Sequence, residues 1–302
     1  MNYLFTICGR AGSKGLKSKN ISNFDGIPLV YYTIGVMGRV MEILASQGHR
    51  VKATLSTDSE ALANLVLAQD VVPFFLIERS EELSGDRVAK VSVIKDALIR
   101  SEDFFRLQFN YVIDLDITAP LRTVDNVLTA IRKKQSRQDT DYVYSLCPSR
   151  KNPYFNMAKK VEKANGSFYE KVIKANFVSR QELPSIYDMN ASIYVYEVQA
   201  LMDKEPSGFF NDGADAIVMK DTGILDIDCA EDKDMMEVLA KNYFFERDSD
   251  FKEMKELAKR VLYSVDSLSG SSAENEIVSD DFVEDTPDEA MRDVAEIDNV
   301  MR

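Results

Sequence analysis

The 302-residue chain has one histidine, His49, and three cysteines, Cys8, Cys147 and Cys229. His49 lies in the polar turn Gln47-Gly48-His49-Arg50, so catalysis here must do without a histidine base. That favours phosphoryl or nucleotidyl transfer, in which positioning and charge neutralisation do most of the work. The cysteines are too scattered for a disulfide frame or a zinc site and fit reduced, buried thiols. No apolar run reaches the ~18 residues needed to cross a bilayer, and no signal-peptide pattern opens the chain. A soluble, cytoplasmic protein with no membrane partner is expected. The net charge of −13 is not a general property of the surface. Residues 266–302 hold twelve acids and two arginines, which leaves the rest near neutral at −3. Nothing in that balance suggests nucleic-acid affinity.

What the chain does have is a distinctive start, Asn2 to Asn20. Tyr3 to Cys8 is an apolar, β-prone run of the kind found in a buried strand. It breaks into Gly9-Arg10-Ala11-Gly12-Ser13-Lys14-Gly15, with Lys17 and Lys19 close behind. Glycine lets the backbone approach a ligand, successive N–H groups make an anion nest, and the cations add charge. A polyphosphate suits such a loop. The spacing fits neither the Walker pattern nor the dinucleotide fingerprint, because the glycines fall at intervals of three.

Strand and helix patterns then alternate. Strands are expected at Val51–Thr57, Val71–Ile77, Tyr111–Leu115, Tyr142–Leu146, Ala191–Glu197 and Gly223–Ile227. Helices are expected from Pro28 to about Ala45, Ser59–Ala68 (capped by Asp58), Val88–Arg100, Val124–Lys134, Ala230–Asn242 and Phe251–Tyr263, with Arg79–Arg87 a polar loop. This predicts an α/β fold, a mostly parallel sheet with helices on both faces. Ligands in such sheets bind beyond the carboxyl ends of the strands, where the loops after Cys8, Thr57 and Leu115 open. Residues 148–189 break the pattern with short alternating runs around Asn165-Gly166, a hairpin signal. The expected organisation is one domain over 1–245 with this β-rich excursion, a C-terminal helix over 246–265, and a flexible acidic tail over 266–302. Ser269-Gly270-Ser271-Ser272 reads as linker. Met291, Val294, Ile297 and Met301 would lie on one side of a marginal helix.

Three further motifs stand out. Asp226 and Asp228 flank an isoleucine at an expected strand end, a pair suited to Mg²⁺, unless Asp228 merely caps the next helix. The run Asp116-Ile117-Thr118-Ala119-Pro120-Leu121-Arg122 would place Thr118 and Arg122 at the crevice, or serve only as a turn. Arg180-Gln181-Glu182-Leu183-Pro184 and Lys90 are surface features or ligand contacts.

Taken in order, GRAGSKGLKSKN, the Thr118–Arg122 segment, Arg180–Pro184, Asn190-Ala191-Ser192-Ile193-Tyr194 and Asp226-Ile227-Asp228 resemble the signatures of the acylneuraminate cytidylyltransferases. These enzymes make CMP-activated nonulosonic (sialic-type) acids. The likeness covers about Asn2 to Asn242. It implies a Mg²⁺-dependent nucleotidyltransferase for CTP and a nonulosonic acid, commonly a homodimer joined through the excursion. By resemblance, Arg10, Ala11, Gly12, Ser13, Lys14, Lys19, Asn20 and Lys90 face the nucleotide. Asp116, Thr118, Arg122, Arg180 and Asn190 face the sugar, and Asp226 and Asp228 hold the metal. Arg10, Lys14, Asp226 and Asp228 form the catalytic set. Asp116 stands where some members carry glutamine, Lys17 where many have proline, and Asp188 where some have a second arginine, all of which bear on sugar preference. A Kdo-like acid, or a non-catalytic nucleotide-binding protein on the same fold, are the alternatives.

Overall fold

A computed structural model describes residues 1–12, 15–16, 18–85, 87–203 and 213–273, the last six as backbone only. Ser13, Lys14, Lys17, Asp86 and the tail beyond residue 273 lie outside the described residues.

Strand β1 (Asn2–Cys8) is buried on both sides, and its alternate residues feed two cores. Tyr3, Phe5 and Ile7 join one apolar cluster and Leu4 the other, as a period of two requires. After the 3₁₀ turn Lys19–Ile21 come the two-residue strands β2 (Asn23–Phe24) and β3 (Ile27–Pro28), then helix α1 (Leu29–Ser46). Next are β4 (Arg50–Thr57), α2 (Glu60–Leu67), β5 (Phe74–Glu78), the short α3 (Glu81–Ser84) and α4 (Lys90–Phe105). They are followed by β6 (Tyr111–Leu115), α5 (Val124–Ser136), β7 (Tyr142–Pro148), and a separate hairpin of β8 (Ala158–Lys163) and β9 (Gly166–Lys171). The chain returns through β10 (Tyr187–Glu197), α6 (Val198–Asp203) and β11 (Ala214–Val218). It then runs through α7 (Ala230–Leu239), a π turn Ala240–Phe244, α8 (Phe245–Arg247) and α9 (Ser249–Ala273).

The sheet has seven strands in the order β11-β7-β10-β6-β1-β4-β5. Only β10 runs antiparallel to its neighbours. Helices α1, α2, α5 and α9 cover one face through residues such as Val36, Val66, Val127 and Met254, and α4 covers the other through Val91, Ile94 and Leu98. The expected doubly covered, mostly parallel sheet is therefore present. Helix α1 has the length and hydropathy to cross a membrane, but 72% of it is buried within the protein. At Gly35 its backbone meets α9 so closely that a Cβ would lie 2.7 Å from the carbonyl carbon of Leu257.

The local differences from expectation have physical causes. Ser59, not Asp58, caps α2 by accepting the Leu62 N–H at 3.3 Å. Gly223 to Ile227 forms no strand; it is a loop held by its ends. The Ser269–Ser272 stretch continues α9 to Ala273, because Met254, Leu257, Ala258 and Val261 anchor the helix upstream in the core. The Asn165-Gly166 turn does make a hairpin, with Gly166 at φ +117°.

Candidate active site

The carboxyl ends of β1, β5 and β6 open into one cleft of about 300 Å³. Its lining includes Arg10, Lys19, Asn20, Arg79, Gly85, Lys90, Asp116, Thr118 and Asp226. Five elements far apart in sequence meet there because a parallel sheet turns all of its carboxyl ends the same way.

The glycine loop is pinned at several points. The Ala11 N–H donates to Asp58 Oδ1 at 2.6 Å, the Gly9 N–H to the Ser56 carbonyl at 3.2 Å, and Asn20 Nδ2 to the Arg10 carbonyl at 3.2 Å. Asp58 thus holds the loop instead of capping α2. Gly12 sits at φ +73°, which glycine adopts freely. Gly15 lies against the acid loop so tightly that a Cβ would come 2.0 Å from the Asp228 carbonyl oxygen.

On the opposite wall Lys90, at the first turn of α4, bridges two carboxylates. Its Nζ lies 2.8 Å from Asp114 Oδ2 and 2.6 Å from Asp116 Oδ2, and 5.4 Å from the centre of the Tyr194 ring. Burial opposes its charge, but Asp114 and Asp116 outweigh that and hold the ammonium well above the ordinary lysine value. Asp116 responds in kind. Burial works to raise its carboxyl, yet Lys90 and the Thr118 N–H and hydroxyl, at 3.0 and 2.8 Å, keep it far below the usual carboxylate range. Asp114 is fully buried and also accepts from the Thr6 hydroxyl at 2.8 Å.

Asp226 behaves differently. Burial first, and then the neighbouring Asp116, push its carboxyl above the ordinary value, and its Oδ1 is buried with no hydrogen-bond partner among the described residues. An ordered cation would satisfy both conditions. Asp228 is largely exposed and pairs with Lys19 Nζ at 3.1 Å; the same ammonium donates to the Ile227 carbonyl at 2.7 Å. Among the described residues no three His, Cys, Asp or Glu side chains cluster as a complete cage. That fits Mg²⁺, which takes one or two carboxylates and shares the rest of its shell with water and phosphate. The two acids sit in a loop, not at a strand end, and Asp228 is not the cap of α7. Cys229 occupies that position, and the Asp228 and Cys229 N–H groups both donate to Asp232 Oδ2 at 3.0 Å.

Three residues assigned to the sugar lie elsewhere. Arg122 is fully buried beneath the cleft. It donates to the Asp116 and Ser192 carbonyls and, at 2.7 Å, to the Thr33 hydroxyl, so it braces the floor and does not reach the crevice. Burial pulls its guanidinium down to about 10 against the pull of Asp116 and Asp114. Asn190 is buried at an irregularity of β10, accepting from the Ser145 hydroxyl at 2.6 Å, beside Ala191 at φ +52°. Arg180 lies in the turn Arg180–Glu182 and lines a separate cavity of about 430 Å³ at the root of the hairpin, with Arg150, Lys151 and Tyr187.

Sequence reasoning passes over Arg79, which lines the cleft, and Asp114, buried beneath it against Lys90. Arg79 follows β5 directly and donates to the Ser56 carbonyl at 2.7 Å. Asp114 is the one charge within the apolar strand Tyr-Val-Ile-Asp-Leu. Position at a strand end and a lone charge in an apolar run were the available signals.

The family model described as Cytidylyltransferase matches residues 4–266. Post-translational flagellin modification protein B of Campylobacter coli is 36% identical over 242 residues, 79% of this chain and 94% of that protein. The CMP-N,N'-diacetyllegionaminic acid synthase of Campylobacter jejuni is 35% identical over 240 residues, 78% of this chain and 94% of its own. In fold, the chain resembles a CMP:2-keto-3-deoxy-manno-octonic acid synthetase solved with CTP. The TM-score is 0.54 at 14% identity, covering 80% of this chain and 99% of the other.

Proposed function

Given that the chain belongs to the cytidylyltransferase family, we propose that it couples CTP to a nonulosonic acid, giving the CMP-sugar and pyrophosphate. The observation that carries this is the cleft itself. A glycine loop with Arg10 and Lys19 meets, at the carboxyl ends of parallel strands, a half-buried Asp226 whose Oδ1 has no hydrogen-bond partner among the described residues. One relative is named as the synthase of CMP-N,N'-diacetyllegionaminic acid, the activated form of an acid of this class.

In this reading the loop N–H groups, Arg10 and Lys19 bind the triphosphate, with Ser13 and Lys14 assigned to the same task by their place in the motif. The anomeric hydroxyl of the sugar attacks the α-phosphorus. A new O–P bond forms, the bond from the α-phosphorus to its bridging oxygen breaks, pyrophosphate leaves, and the hydroxyl proton passes to solvent. Charge grows on the phosphate oxygens and on the leaving group, so fixed cations there lower the barrier. Mg²⁺ held by Asp226, with Asp228 at the rim, would supply charge neutralisation and orientation for the phosphates. Asp116, kept ionised by Lys90, accepts hydrogen bonds from sugar hydroxyl or amide groups, and Thr118 is positioned beside it. A homodimer joined through the hairpin region is part of the proposal. Phe168 and Tyr169 leave apolar surface exposed there.

The test is pyrophosphate release with CTP and Mg²⁺ against a panel of sialic, legionaminic, pseudaminic, Kdn and Kdo acids. Release with one nonulosonic acid, abolished by EDTA, is the expected result. Release with Kdo alone, or none with any acid despite CTP binding, would overturn the substrate assignment.

A further inference from the structure

Outside the cleft, one buried carboxylate gathers more polar contacts than its place in a surface turn calls for. Asp25 stands at the tip of the β2–β3 turn at φ +48°, followed by Gly26 at φ +78°, the Asp-Gly pairing that two-residue hairpins favour. Its side chain is 6% exposed, with Oδ1 3.0 Å from Lys241 Nζ and Oδ2 2.6 Å from Lys255 Nζ of α9. The Asp25 N–H donates to Glu237 of α7, and Lys233 Nζ of α7 donates to the Asn23 carbonyl at 3.1 Å. Lys233, Glu237 and Lys241 follow one another at intervals of four, a helical stripe turned toward the hairpin. Burial opposes the Asp25 charge, but Lys255 and Lys241 outweigh it, so the clasp is ionic at neutral pH.

The two elements joined by this clasp are the continuations of two loops that meet beside the cleft, where Gly15 lies against the Asp228 carbonyl. The hairpin follows the glycine loop after one 3₁₀ turn, and α7 follows directly on the acid loop. At its amino end α7 grips that loop, since Asp232 accepts both the Asp228 and the Cys229 N–H. Among the described residues the acid loop has no strand partner. Its other anchors include Ile227 buried in the core, the Ile227 N–H to the Thr118 carbonyl at 2.9 Å, the packing of Gly15 and the Lys19 contacts. The setting of α7 against the hairpin therefore contributes to how far Asp226 stands from the glycine loop. We propose that Asp25 is a positioning residue for Asp226, acting through α7 to hold the acid loop at the separation that cation and phosphate together require. This rests on the reading of Asp226 as a metal ligand.

The test uses Mn²⁺ as probe, its binding to the full chain in the presence of CTP followed by electron paramagnetic resonance, without sugar acid. Asp25→Asn and Glu237→Ala are compared with the wild type, alongside CTP binding in EDTA and thermal melting. We expect Mn²⁺ affinity to fall about tenfold, the scale of outer-sphere effects on metal sites, with CTP binding in EDTA unchanged and cooperative melting retained. A folded variant with unaltered Mn²⁺ affinity, or one losing both affinities in parallel, would overturn the proposal. Should Asp25→Asn not fold, Lys255→Met, which leaves the Lys241 pair, carries the same expectation at smaller size. If the wild type binds no more Mn²⁺ than CTP alone does, it is the assignment of Asp226 that fails, and the inference falls with it.

Discussion

The chain has two polar cavities near cations that its motifs name, and they are built in different ways. The cleft holding Arg10, Lys90, Asp116 and Asp226 lies at the carboxyl ends of parallel strands, so the topology of the sheet dictates it. The cavity with Arg180 lies at the root of the β8–β9 hairpin and is walled by loops. In the cleft the groups around Asp226 are tied to the scaffold: Lys90 by two aspartates, Asp116 by Thr118, and the glycine loop by Asp58. The comparison teaches that motifs in sequence order need not assemble into one site on one chain. Arg10, Lys19, Asn20, Lys90 and Asp226 converge on the cleft, whereas Arg180 does not.

The sharpest way to break this distinction is at Asp226. Asp226→Asn should lower kcat by about 10²-fold or more, because the buried oxygen no longer offers a charged ligand where charge develops. Steady-state pyrophosphate release measures it, and a loss of less than a few-fold would remove Asp226 from the chemistry. Next comes Arg122, which belongs to the scaffold and not to the ligand contacts. Arg122→Met should cost about 3 kcal/mol of stability in urea unfolding, since it strands the Asp116 and Ser192 carbonyls and the Thr33 hydroxyl without a donor. A variant as stable as the wild type but with a raised KM for the acid would restore Arg122 to the sugar site.

Gly15→Ala should reduce turnover by about tenfold by forcing the Asp228 carbonyl away from the glycine loop. An unchanged rate would show that the two loops do not need their close approach. The smallest effect is expected at Arg180. Arg180→Ala should leave CTP affinity by calorimetry unchanged, and a marked loss of CTP binding would mean that both cavities serve the nucleotide.

The fold was legible because its signals are local. An apolar strand, a capped helix and a glycine loop can each be read within a dozen residues, and their alternation implies a parallel sheet. Within the site, Arg10, Asn20 and Thr118 were legible from the loops that follow apolar strands, and Lys90 and Asp226 from the motifs that hold them. Arg122 was misplaced because a guanidinium after a proline turn looks solvent-directed, and only the packing of α1 and β10 around it reveals a buried brace. The acid loop was read as a strand because Ile224, Leu225 and Ile227 are β-prone. In the structure Ile227 is buried through its contacts with the core, with no partner strand to pair it. Asp114 and Arg79 escaped because their partners, Lys90 and Ser56, are distant in sequence.

The most direct test is anomalous scattering from crystals of the full chain grown with CTP and Mn²⁺. A manganese peak beside Asp226, with the triphosphate along the glycine loop, is the result expected here. A peak in the Arg180 cavity, or nucleotide bound with no metal near Asp226, would contradict it.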